Sequence, residues 1–186
     1  VSDEHRLQVD PNTPPYIGRL LVKLIDPQTG TALPLADGKD YLLLDTPIRV
    51  LGSGTPAQKV MNTVIDGKVE LWCSSVRQQG DQLTVDLYWH VLQPLAAPDI
   101  SLFIHGFDAQ DAPVLLYDSL PLNGDYPPNE WLPGQNLSDH VVVLVAPGLT
   151  RLTAGMHLAD GNRLSVTQEG VAAPDNLITL PIEERD

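Results

Sequence analysis

The stretch "DQLTVDLYWHV", residues 81–91, decides the fold class. Apolar and polar side chains alternate through it without interruption. Leu83, Val85, Leu87, Trp89 and Val91 fall on one side of an extended chain, and Thr84, Asp86, Tyr88 and His90 on the other. A period of two is the signature of a strand buried on one face. Gly80-Asp81 just before it is suited to a turn. Outward from this strand the same grammar repeats. Further strands are expected at 19–25, 41–44, 48–51, 68–74, 100–107, 114–119, 137–145, 150–157, 163–167 and 177–182. Turn clusters such as "DPQTG", "ADGKD", "DAQDAP", "ADGN" and "APDN" separate them. Seventeen prolines leave few windows in which a helical period could run. Many short strands with frequent turns predict an all-β, immunoglobulin-like antiparallel β-sandwich with an extra N-terminal β-hairpin segment.

The 186 residues suffice for one ordinary domain or a little more. The expected division is an N-terminal β segment and linker over 1–66 and a sandwich over 67–186. Gly52, Ser53 and Gly54 mark the linker in 52–66, with one short helical turn expected around 57–61. Residues 18–50 and 150–184 resemble each other: each reads Arg-Leu, a strand, an Asp/Gly turn, a second strand and a proline-bearing final strand. This internal repeat would make 1–50 the closing strands of an earlier sandwich, or strands lent to this one.

A formal net charge of -13 argues against nucleic acid and anionic membrane surfaces as partners. The longest apolar run, "VVVLVA" at 141–146, is too short to insert in a bilayer. The chain opens on Val1 and has no signal-peptide pattern, so a soluble piece of a longer polypeptide is expected. Cys73 is the single cysteine; its apolar setting "VELWCSSV" predicts a buried small hydrophobe.

The second half resembles a family of extracytoplasmic β-sandwich domains found near the C-terminus of bacterial membrane glycosyltransferases of the dolichyl-phosphate-mannose kind. The resemblance spans roughly residues 70–184 and is carried by "GDQLTVDLYWHVLQPL", "SLFIHGFDAQDAPVLLYDS", "GDYPPNEWLPGQNLSDHVVVLVAPG" and "LADGNRLSV". Its most specific part is Tyr126-Pro127, Trp131, Pro133-Gly134 and Asp139. The chain departs from the family habit at "PGLTRLTAGMHL", where relatives favour a Tyr after the Pro-Gly. The resemblance implies a non-catalytic accessory domain in the cell envelope, resting on the membrane domain of its own parent chain or on a neighbouring envelope protein. It supplies no catalytic residues.

No cofactor motif is present, and no catalytic residue is assigned. Asp118, Asp125, Glu130 and Asp139 could in principle pair as glycosidase carboxylates, which need ~5–9 Å separation; solvated loop charges are the simpler reading. His90, His105, His140 and His157 lack zinc-ligand spacing, and His105 is expected to be a hydrogen-bonded inter-strand residue. The 108–113 and 159–162 turns lack the full calcium-loop pattern, and Ser74 and Ser75 lack a nucleophile context. Asn136 opens a glycosylation triplet. The alternative to a bare accessory domain is a carbohydrate-binding module, with a glycan as its partner. As a carbohydrate-binding module, the chain would use the loop aromatics Tyr126 and Trp131 with Asp125 and Glu130. Against this, the prolines around Trp131 predict a stiff corner that buries the indole.

Overall fold

The computed structural model describes residues 7–10, 12–13, 16–50 and 60–182. It is all-β and antiparallel throughout, with no α-helix among the described residues. The chain forms two compact units, 1–56 and 57–186.

In the first unit, β1 (Tyr16–Gly18) pairs with β4 (Ile48–Val50), and β2 (Leu21–Val22) with β3 (Leu42–Leu43). These short ladders realise the expected N-terminal hairpin segment. An Ile25–Ala32 bridge closes the "DPQTG" turn, where Gly30 takes a φ of +70°.

The second unit begins with β5 (Thr63–Ile65), followed by two long strands, β6 (Val69–Gln79) and β7 (Gln82–Val91). Next come β8 (Ser101–Phe107), β9 (Pro113–Ser119), β10 (Asn136–Leu144) and β11 (Arg151–His157). The chain closes with β12 (Val166–Gln168), β13 (Val171–Ala172) and β14 (Ile178–Leu180). Six strands in the order β10-β7-β6-β5-β12-β13 make one sheet, and β14-β11-β8-β9 make the other. After each local hairpin the chain changes sheet, so β10 returns beside β7 and β11 beside β8.

The inner faces meet in one core. Leu83, Val85, Leu87, Trp89 and Val91 are all buried, as their alternation requires. They pack with Ile65, Val69, Leu71 and Val76 of the same sheet and with Leu102, Ile104, Leu152, Ala154, Met156, Ile178 and Leu180 of the other. Burying a side chain of this size stabilises by about 1.5–3 kcal/mol.

Two expectations are corrected. Part of the presumed linker is a strand: β5 lies inside the large sheet, between β6 and β12, with Thr63 and Ile65 buried. The glycine-rich signal stops at Gly54, and three residues are too few to show a period. Residues 57–59 of the expected helical turn lie outside the described residues; Val60 and Met61 both donate backbone hydrogen bonds to the Trp72 carbonyl instead. Cys73, expected in the core, is half-buried. A β-bulge between Leu71 and Cys73 inserts Trp72 without a cross-strand partner and puts Cys73 opposite Tyr88 on the outer face. Burial still pushes the Cys73 thiol above its ordinary pKa, so it is a poor nucleophile.

Candidate functional site

The connection 120–135 shows how the proline-rich segment folds. Pro128 starts a 3-10 turn, Pro128–Glu130, and the next residue, Trp131, points inward with 1% exposure. Its indole N–H donates to the Tyr126 carbonyl at 3.0 Å, and the Tyr126 hydroxyl donates to the Glu130 carbonyl at 2.6 Å. Pro133-Gly134 forms the next turn: Gly134 has a φ of +80°, and Gln135 N–H donates to the Leu132 carbonyl. Trp131 therefore has no free ring face for a sugar, while Tyr126 is half-buried and Glu130 lies beside it. Asp125 is exposed on the same connection. The loop is a corner that anchors β10.

Asp139 holds the other end of this connection. Its Oδ2 accepts the Trp89 indole N–H at 2.8 Å and its Oδ1 accepts the Leu122 N–H at 2.5 Å. Leu122 has a left-handed φ of +54°, a costly conformation for a branched side chain, and the carboxylate holds it there. Burial pushes the Asp139 carboxyl above its ordinary pKa, against the two N–H donors that pull it down.

Asp118 occupies a different environment, the outer face of the four-stranded sheet. Its two oxygens face His105 Nε2 at 3.2 Å and His157 Nε2 at 3.1 Å. His157 Nδ1 also lies 2.8 Å from the Leu158 carbonyl. Both partners of His157 accept, so this pair of contacts favours the doubly protonated ring. The Leu158 carbonyl contributes most to raising the His157 pKa, with Asp118 adding to it. Burial pushes Asp118 up, but hydrogen bonds and charge from the two histidines outweigh it and hold the carboxyl below its ordinary value. Phe103 lies beneath the histidines, stacked on His157. It fits only because β11 carries Gly155 there: a Cβ would stand 2.5 Å from the Phe103 ring.

Asp118 and Asp139 thus lie on different sheets, each held by its own donors. The calcium-like turns are Asx turns: Asp108 Oδ1 accepts from Gln110 and Ala112 N–H, and Asp160 Oδ1 accepts from Asn162 N–H. No cluster of three metal-ligating side chains occurs among the described residues. Ser74 donates to the Met61 sulfur. Asn136 accepts from His90 Nδ1 at 2.7 Å.

The outer face of the six-stranded sheet carries the features that individual motifs do not reveal. The register places Asn136, His90, Glu70, Val64, Thr167 and Ala172 in one row across all six strands. Trp72, supplied by the bulge, stacks on His90 with centroids 4.4 Å apart, and its indole N–H donates to Glu70 Oε2 at 2.8 Å. Tyr88 is exposed on the same face, and Asp86 accepts from Arg77 and from His140. Farther along the row is a shallow hollow of about 250 Å³, bordered by Asn62, Val64, Thr167, Glu169 and Gly170. Among the described residues no helix is long and apolar enough to cross a membrane. No family model, curated protein or solved structure matches this chain.

Proposed function

We propose that the chain is a non-catalytic accessory β-sandwich domain of a larger, membrane-anchored cell-envelope protein, held outside the cytoplasm. The observation that carries the first part is the use made of the carboxylates. Asp139 is consumed in securing Trp89 and the strained Leu122, and Asp118 is clamped between two histidines. Glycoside hydrolysis needs one carboxyl poised as an acid and a second opposite it across a bond. These two serve separate sheets instead. The resemblance of residues 70–184 to sandwich domains beside membrane glycosyltransferases supports the setting. The return of β10 beside β7 and of β11 beside β8 supports the immunoglobulin-like designation. The internal repeat belongs to the same proposal. "LADGK" at 35–39 and "LADGN" at 158–162 share their hydrogen bonds, with Leu35 donating to Lys39 and Leu158 to Asn162.

Two measurements test this. Incubation with chromogenic glycosides and acyl esters gives no turnover above buffer; enzyme-dependent release abolished by Asp118→Asn would overturn the non-catalytic reading. An epitope inserted in the exposed 108–112 turn of the full-length parent is detected on intact cells. Detection only after permeabilisation would overturn the extracytoplasmic placement.

A further inference from the structure

We infer that the transverse row on the outer face of the six-stranded sheet is a binding site for a short neutral oligosaccharide, running from the Trp72–His90 stack to the hollow between β5 and β12. The inference deepens the accessory-domain reading by giving the domain a ligand, and it uses none of the loop residues around Trp131.

The chemistry of the row matches a sugar. A pyranose presents a face of C–H groups and a rim of hydroxyls, so its receptor needs an aromatic surface beside fixed hydrogen-bonding groups. Trp72 supplies the first. It is the half-buried tryptophan of the chain, whereas Trp89 and Trp131 are each 1% exposed and committed to the core. Its orientation is set by the stack on His90 and by the bond to Glu70, so little side-chain freedom is left to lose on binding. His90 is in turn fixed by Asn136.

The hollow supplies the second requirement. At about 250 Å³ it is smaller than the usual drug-sized pocket of ~300–1,000 Å³ and suits one ring at the end of a short chain. Val64 and Thr167, paired across β5 and β12, stand on this outer face. The wall is Glu169, whose carboxylate accepts from Asn62 Nδ2 at 3.0 Å and whose backbone N–H donates to the Asn62 carbonyl at 2.9 Å. These two bonds hold Glu169 at a left-handed φ of +51°. Neighbouring strands are ~5 Å apart, so the stack and the hollow are separated by ~10 Å across the sheet. That span selects an oligosaccharide over a single sugar.

Charge selects among sugars. Glu70 stands in the row, Glu169 borders the hollow and the chain carries a net charge of -13, so uronates, sialylated glycans and phosphorylated sugars are repelled. Binding to a neutral ligand is accordingly insensitive to salt.

Tryptophan emission tests the proposal directly, because Trp72 is the indole a surface ligand can reach. The whole chain is titrated with gluco-, manno- and N-acetylglucosamine oligosaccharides of two to four units, at low and high salt. At least one series gives a saturable, salt-independent change in emission. Trp72→Ala weakens the affinity, read by calorimetry, at least tenfold, and Thr167→Arg, which projects a long side chain into the hollow, abolishes it with the thermal midpoint unchanged. Absence of saturable binding in every series would overturn the site, as would binding that Thr167→Arg leaves intact. Neither result bears on the non-catalytic reading, which stands on turnover and cell-surface detection. Saturable binding of an acidic oligosaccharide or of a peptide in place of the neutral series also overturns it.

Discussion

Asp139 and Asp118 each hold two nitrogen donors, and the two regions around them differ in what that arrangement does. Asp139 is buried where the 120–135 connection meets β10, facing an indole and a backbone amide that have no other partner at hand. Asp118 lies on an outer face with its side chain 47% exposed, facing two imidazoles that water also reaches. The same kind of side chain therefore organises backbone in one place and adds to a bias in protonation in the other. Burial decides which, because an unmet donor costs free energy only where water cannot replace the lost acceptor.

Four outcomes would break or sharpen this contrast. The largest belongs to the corner: Trp131→Ala removes a fully buried indole and costs about 3–5 kcal/mol in denaturant melts, as other large-to-small core changes do. A loss below about 1 kcal/mol would return Trp131 to the surface. Asp139→Asn follows, at about 1–3 kcal/mol, since one face of the amide is a donor and either Trp89 or Leu122 loses its acceptor. A shift of the Trp89 indole proton resonance in the variant would identify which. Asp118→Asn comes third, with a change below about 1 kcal/mol at neutral pH, as exposed pairs show.

The smallest effect is the most diagnostic, and it is a dependence on pH. The raised His157 pKa contributes stability that is full below the ordinary imidazole value of 6.5 and is lost as pH rises through the folded value. The lowered Asp118 pKa contributes stability present above the ordinary 3.8 and lost as pH falls through the folded value. Both are therefore present between about 3.8 and 6.5. Asp139 acts oppositely: its raised pKa costs stability as pH rises above 3.8 through the folded value. Thermal midpoints across pH 3–9 consequently decline on the alkaline side for the native chain. His157→Gln flattens that decline near neutrality, and Asp139→Asn flattens only the acid flank. Indistinguishable profiles for the three proteins would remove the contrast between the two aspartates.

Much of the scaffold is legible in the residues themselves. The alternation at 83–91 assigns both faces of β7 correctly, and the prolines around Trp131 foretell a buried indole at a rigid corner. The parts that stay hidden depend on register. β5 has three residues, and it is a strand because it is paired on both sides, with Val69–Leu71 just after it and with Val166–Gln168 a hundred positions later. Cys73 follows the strand period in the sequence, and the extra residue at Trp72 reverses its side. His105, Asp118 and His157 are unremarkable one by one; the pairing of Phe103 with both Asp118 and Gly155 brings them together. The row from Asn136 to Ala172 is likewise a property of five ladders at once.

That late ladder has a kinetic consequence. The β6–β7 and β8–β9 hairpins join neighbours in sequence, whereas Thr63 must find Gln168 across most of the unit. Contacts that close long loops form after local ones, because the chain entropy they cost is recovered only once a partner surface exists. β12 therefore docks late in refolding, and the Val64–Thr167 floor of the hollow is completed with it. A pulse of hydrogen exchange during refolding would find the amides of β6 and β7 protected before those of β12, with sugar binding acquired only in the final phase.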